Sequence, residues 1–200
     1  GYGGSVDGYV YIYGDSIQNN TGNGFFHGTT VGELSNVAEH LHISDSALND
    51  NGADGLHIAT NVAAQGVISY SYIYVTGSDL SGNAGSGFVE HDYAQGYYSQ
   101  NFQTTSIDSS TFRYNGAAGA TFYSGQSYGP GGFGATSQSV TIAGSDFSHN
   151  IADGLDLELR ATNNQGRAEQ HFTISESTFT QNGRDGLHSY RYAGQGVYIA

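Results

Sequence analysis

Three phrases of this 200-residue chain place a reactive side chain in one slot: "NGADGLHIAT" at 51–60, "NIADGLDLEL" at 150–159 and "NGRDGLHSYR" at 182–191. After each Gly-Leu pair stands His57, Asp156 or His188. An imidazole beside a carboxylate can be a general base with its orienting partner, or two ligands of a metal. Two residues further on lie Glu158 and Tyr190, with Arg160 and Arg191 just beyond. Elimination or epimerisation at C5 of a sugar acid needs a cation for the carboxylate, a base and an acid. Arg160 or Arg191, His188 and Tyr190 are of the types that fill those roles. The same residues equally suit the exposed side of a strand, where Tyr, Thr and His are common. Asp156 and Glu158 would also repel a uronate unless calcium bridged them. The densest titratable run is "EHDY" at 90–93. Alternation puts Glu90 in an inward slot, where a lone carboxylate is costly. A local bulge that turns it outward beside His91 and Asp92 is the expectation.

What positions these side chains is an internal repeat. Ser46, Ser78, Ser110, Ser145 and Ser177 are spaced by 32, 32, 35 and 32 residues. Each is followed at fixed distances by an Asn (Asn51, Asn83, Asn115, Asn150, Asn182) and a Gly (Gly55, Gly87, Gly119, Gly154, Gly186). Two residues after each Ser is a large apolar side chain: Leu48, Leu80, Phe112, Phe147 or Phe179. An earlier copy, Ser16–Asn20–Gly24, fits with one residue missing. Within each copy apolar residues alternate with polar ones, as in Leu41/Ile43, Ile73/Val75 and Val140/Ile142, with Thr105/Ile107 the weakest pair. Alternation bounded by Asn-Gly and Asp-Gly turns predicts half-buried strands and no helix. Short strands in one register predict an all-β fold, a right-handed single-stranded parallel β-helix of about six coils, with coils ~4.8 Å apart.

The Asn row then reads as an asparagine ladder, the Ser row as a tight inward corner, and the Gly row as a turn needing positive φ or close approach. Gln65-Gly66, Gln95-Gly96, Gln165-Gly166 and Gln195-Gly196 read as a shared turn on the variable side. Stacking brings two outward rows together: His57, Val89, Thr121, Asp156, His188, and Ala59, His91, Tyr123, Glu158, Tyr190. The candidate glycan-facing patch is therefore His57, His91, Tyr123, Asp156, Glu158, Arg160, His188, Tyr190 and Arg191.

Composition narrows the partners. The formal net charge is −13, from 18 acids against 5 Lys and Arg, and every one of the five is Arg. Nucleic-acid binding needs clustered cations and is not expected. Nor is membrane insertion, since no stretch approaches the ~20 apolar residues of a span. There is no Cys, so disulfides and thiol chemistry are excluded. Calcium held through oxygens is the one cofactor the acidic composition suggests, although spacing alone supplies no cage for it.

The pattern S-x-[LF]-x-x-N-x-x-x-G-[LF] resembles the degenerate repeat of parallel β-helix proteins. "NDNGADGLHIAT" and "SHNIADGLDLEL" look most like coils of mannuronan C5-epimerase modules and of large bacterial surface repeat proteins. The resemblance implies the fold across nearly the whole chain. In the epimerases catalysis uses an Asp-Pro-His-type signature with a Tyr and a Lys; here there is no Lys and the one Pro is Pro130 in "YGPGG". No catalytic residue carries over. We read residues 1–200 as a single solenoid cut from a longer repeat protein, with end-to-end self-association expected at uncapped coils. The expected function is a non-catalytic, secreted or cell-surface structural module, of adhesin or filament type, contacting a polysaccharide or cell-surface glycan. The alternative is a secreted lyase or C5-epimerase acting on acidic polysaccharide; a third reading, a phage tail-spike segment, would require a trimer.

Overall fold

The structure is a computed structural model that describes residues 5–32, 36–126, 134–161, 167–193 and 198–199. In chain order its strands are β1 (Ser5–Tyr13), β2 (Phe25–Val31), β3 (Asn36–Ser44), β4 (Leu56–Val62), β5 (Ile68–Thr76), β6 (Phe88–Ala94) and β7 (Gln100–Asp108). They continue as β8 (Ala120–Gln126), β9 (Ala135–Ala143), β10 (Leu155–Ala161), β11 (Arg167–Ser175), β12 (Leu187–Ala193) and β13 (Tyr198–Ile199). Odd-numbered strands form a seven-stranded sheet, here sheet A, and even-numbered strands a six-stranded sheet, sheet B. Every pairing is parallel, between a strand and its counterpart in the adjacent coil. A third ladder, one residue wide, joins Ser16, Ala47, Asp79, Thr111, Asp146 and Thr178. The molecule is an all-β parallel solenoid, as the repeat predicts.

The narrow ladder corrects the first copy. Ser16 pairs with Ala47, so Asp15, not Ser16, stands in the serine slot. Counted from Asp15, Asn20 and Gly24 fall at the same distances as in the other copies, and no residue is missing. The Asp15 amide donates to Ser46 Oγ at 3.2 Å, as the Ser46 amide does to Ser78 Oγ. Each serine hydroxyl donates to the carbonyl two residues back, for example Ser78 to Thr76 at 2.9 Å.

The asparagines form a continuous ladder through the described coils. Side-chain amides donate from Asn20 to Asn51 (2.9 Å), Asn51 to Asn83 (3.0 Å), Asn83 to Asn115 (3.2 Å), Asn115 to Asn150 (3.1 Å) and Asn150 to Asn182 (3.1 Å). The same Oδ1 atoms accept backbone amides, as at Asn51 N to Asn83 Oδ1 (3.0 Å). The Gly row is dictated by this ladder. A Cβ on Gly55 would lie 2.7 Å from Gly87 O and 2.8 Å from Asn83 Nδ2, so close approach, not positive φ, demands glycine there. Positive φ falls elsewhere, immediately before the Ser slot (Asp45, Gly77, Ser109, Gly144, Glu176) and before the Asn slot (Asp50, Gly82, Tyr114, His149, Gln181).

Gln65-Gly66 and Gln95-Gly96 do not form a shared turn. Val62 pairs with Ala94, so Gln65-Gly66 aligns with Tyr97-Tyr98, two residues away from Gln95-Gly96. Gly66 is left-handed (φ 67°), whereas a Cβ on Gly96 would meet Ala64 O at 1.9 Å. Gln165-Gly166, Gln195-Gly196 and Pro130 lie outside the described residues.

Between the sheets, the half nearer the Asn ladder is apolar. Phe112 and Phe147 stack at 4.6 Å and Phe147 and Phe179 at 5.1 Å, continuing the Leu48–Leu80 row. The other half is mixed, with polar groups in the middle coils between apolar clusters at Val31, Val62 and Val67 and at Leu159, Ala161 and Ala168. The bulge expected at Glu90 is absent. β6 pairs without interruption to β4 and β8, so parity holds and both Glu90 (0% exposed) and Asp92 (1%) point inward. Thr105 donates to Glu90 Oε2 at 2.6 Å, and Gln138 Nε2 to Asp92 Oδ2 at 3.3 Å. Burial pushes the Glu90 carboxyl up to about 7, and burial together with Glu90 pushes Asp92 well above the carboxylate range. Glu39, also inward-facing, differs: His27 (2.9 Å) and Thr29 bond to it, outweigh its partial burial and hold its pKa below the ordinary value.

Phe147→Ala should cost ~3–5 kcal/mol in chemical denaturation, because the side chain is sandwiched and fully buried. Glu176→Gly, at a left-handed exposed position where Gly14, Gly77 and Gly144 occur naturally, should instead stabilise by ~0.5–1 kcal/mol.

Candidate functional site

On the outer face of sheet B the two expected rows are in register. His57 aligns with Val89, Thr121, Asp156 and His188 in turn, and Ala59 with His91, Tyr123, Glu158 and Tyr190. The patch divides in two. In the first half Asp54, at the end of the turn that enters β4, orients His57 (Nδ1 to Oδ2, 2.8 Å). His57 lies 5.4 Å from the Phe26 ring and 5.4 Å from His91, and His91 lies 5.6 Å from Tyr123. Burial, followed by the His57 charge, lowers the pKa of His91. Burial and the hydrogen bond with Tyr93 push the Tyr123 hydroxyl upward, so it stays protonated.

In the second half Asp156 Oδ1 meets His188 Nδ1 at 2.9 Å. That hydrogen bond raises the His188 pKa, partial desolvation opposing it. Asp153 completes a group of three whose ligating atoms all lie within 4.8 Å of one another. Asp153 is the turn aspartate before Gly154 and is only 1% exposed, while Asp156 and His188 are half-buried. Its Oδ1 accepts the Asp185 amide (2.9 Å), and Arg184 Nη1 lies 3.6 Å from its Oδ2. Two carboxylates and an imidazole suit a zinc-like ion more than calcium, and a cation there would compete with Arg184. Arg160 pairs with Glu158 and lies 5.9 Å from the centre of the Tyr123 ring. Its charge is thus already matched before any uronate arrives. Arg191 aligns with inward-facing Leu159 and so has the opposite parity to Arg160, outside the outward rows.

Sequence reasoning passed over a second surface, the outer face of sheet A. Tyr9, His40 and Tyr72 stack at 4.6 and 4.8 Å, with interplanar angles of 6° and 13°. Beside them Tyr11, His42 and Tyr74 stack at 5.1 and 4.6 Å. Tyr70 and Phe102 stack at 5.3 Å along the neighbouring row. Tyr9, Tyr11 and Tyr13 are 59%, 67% and 73% exposed. Because the ring faces are turned to one another, the rows present ring edges, with their hydroxyls and ring nitrogens, as a rigid comb. In the later coils the same rows continue as Thr104, Ser139 and His171, and as Ser106, Thr141 and Thr173. The legible signal was the polar slot of the alternation, filled by Tyr or His in three successive coils; Asp153 was legible as the Asp of each Asp-Gly turn.

Among the described residues no helix is long and apolar enough to cross a membrane. Fold and surface define a parallel β-solenoid repeat protein. Compared with known proteins, the chain matches no family model, no curated protein and no solved structure. The likeness to epimerase and surface-repeat coils therefore stays at the level of the repeat pattern and the fold it implies.

Asp156→Asn should bring the His188 pKa down toward the ordinary imidazole value in an NMR titration. Since a raised pKa keeps His188 protonated to higher pH, the variant should lose its proton earlier on the way up. An unchanged midpoint contradicts the pairing.

Proposed function

We propose that the chain is a non-catalytic structural module of the cell surface or extracellular space whose outer faces contact a glycan. The observation that carries this reading is the stacked comb Tyr9–His40–Tyr72 and Tyr11–His42–Tyr74. An exposed, ordered aromatic surface on a soluble chain marks an interaction site more often than decoration. Stacking fixes the rings in advance, so a ligand need not freeze them on binding. Neutral hydroxyls and imidazoles on an apolar base match a sugar, which offers hydroxyls around its rim and C–H groups on its faces. A net charge of −13 favours neutral over acidic polysaccharide. The parallel coils, ~4.8 Å apart, give the rigid reach expected of an adhesive or filamentous repeat.

The second reading, a lyase or C5-epimerase for acidic polysaccharide, rests on the His188–Asp156 pair. Against it stand Arg160, already paired with Glu158, and the parity of Arg191.

Binding to a panel of neutral and uronate polysaccharides, by affinity electrophoresis or calorimetry, separates the two. The structural reading expects retention by a neutral glycan, weakened roughly tenfold or more, about 1.4 kcal/mol, in Tyr72→Ala/Tyr74→Ala with the fold intact. Absorbance from unsaturated uronate products, lost in His188→Ala, would favour the enzyme. Retention by no glycan at all contradicts both the comb and the patch as glycan surfaces.

A further inference from the structure

The carboxylates of Glu90 and Asp92 sit inside the solenoid, on one strand, two residues apart and on the same side of the backbone. Each has one oxygen held by the protein. Thr105 Oγ1 donates to Glu90 Oε2, and Gln138 Nε2 to Asp92 Oδ2. The other oxygens, Glu90 Oε1 and Asp92 Oδ1, are buried and have no hydrogen-bond partner. Ser124, whose backbone is in register with Asp92 in the next coil, also has a buried, unpartnered hydroxyl. Asn101, also buried and unpartnered, belongs to a different row, in register with Ser69 and Thr136 on sheet A. Buried polar atoms are almost always satisfied, so Glu90 Oε1, Asp92 Oδ1 and the adjacent Ser124 hydroxyl together point to a polar occupant.

Among the described residues no positive charge is brought to this place. The chain contains no Lys. Arg113 pairs with Asp146, Arg160 with Glu158, Arg167 with Glu169 and Arg184 with Asp153, while Arg191 is exposed. His27 is committed to Glu39. The groups that face the acids from neighbouring strands are the amides Gln103 and Gln138 and the hydroxyls Thr60, Thr105 and Ser124. All of these are neutral.

We propose that Glu90 and Asp92 bind a hard divalent cation of the calcium type in the interior of the middle coils, with the hydroxyl of Ser124 and enclosed water completing its shell. Two carboxylates balance two positive charges, and the donors are all oxygen, which selects calcium over zinc or copper. This site is separate from the surface group Asp153, Asp156 and His188, whose imidazole and open side suit a different ion. It is also independent of the glycan reading, since neither outer face takes part. Its consequence is structural: the ion adds a link within the middle coils to those made by the Asn ladder and the apolar core.

The test uses the whole chain, unfolded and refolded either in EDTA or in calcium, followed by metal analysis and thermal melting. Refolding in calcium should give about one bound ion per chain and a higher Tm than refolding in EDTA. Glu90→Gln and Asp92→Asn should each weaken calcium binding roughly tenfold or more, while Asp156→Asn/His188→Ala should retain it. The wild-type comparison decides the matter even if an interior variant fails to fold. Two results overturn the proposal. One is an ion that survives Glu90→Gln and Asp92→Asn but is lost in the surface variant. The other is a wild type that binds no calcium and melts identically in both media. In that case protons occupy the pair, and stability in both media should fall as pH rises from the ordinary value of 4.5 toward about 7. That is the window in which the unfolded chain ionises and the folded Glu90 does not.

Discussion

Everything in this molecule follows from one constraint: each residue is stacked on the residue in the same slot of the next coil. A parallel ladder spaces those neighbours by ~4.8 Å, so a side chain must suit a copy of itself above and below. Asparagine does this with an amide that donates to one neighbour and accepts from the other, and it caps backbone amides with the same oxygen. Phenylalanine does it by face-to-face stacking. Glycine is needed beside the Asn ladder because the coils approach too closely for a Cβ. No coil can bury its inner face alone, and the repeat therefore stands or falls as an array.

The constraint also explains what the sequence disclosed. Slots with one acceptable answer, such as Asn115 or Phe147, repeat and are easily read. Slots with several answers mislead. Asp15 can replace a serine because its carbonyl geometry and backbone amide do the same work, and the neighbouring Ser16 disguised the exchange. Gln65-Gly66 and Gln95-Gly96 share composition without sharing position, since the turn on that side is set by local backbone needs at Gly66 and by a close contact at Gly96. Glu90 broke the apolar pattern, and a bulge was the economical explanation from one strand alone. The facing sheet resolves it: Thr105, the weakest member of its own apolar row, is the hydroxyl that bonds Glu90. Two local irregularities were one tertiary contact, visible only when coils are closed.

Function must lie where stacking leaves freedom. Outward slots on sheet B vary from His57 through Val89 and Thr121 to Asp156 and His188, and the structure brings the last two together with Asp153. The two outward rows of sheet A that begin at Tyr9 and Tyr11 are aromatic in the first three coils and mostly hydroxylated afterwards, with His171 the exception. The fold thus carries a graded surface, aromatic at one end and acidic with histidines at the other. The proposed glycan contact uses the first, while the interior acids affect only the stability of the scaffold that displays it.

The central claim is that the repeated slots are architecture and the variable outward slots are not. Equilibrium denaturation of Asn115→Ala beside Thr121→Ala tests it most directly. Asn115 accepts both the backbone and side-chain amides of Asn83 and donates to Asn150, so its loss leaves buried donors unpaired. The account predicts a loss of ~2–4 kcal/mol for Asn115→Ala and less than ~1 kcal/mol for outward-facing Thr121→Ala. Equal, small effects at the two positions would contradict it.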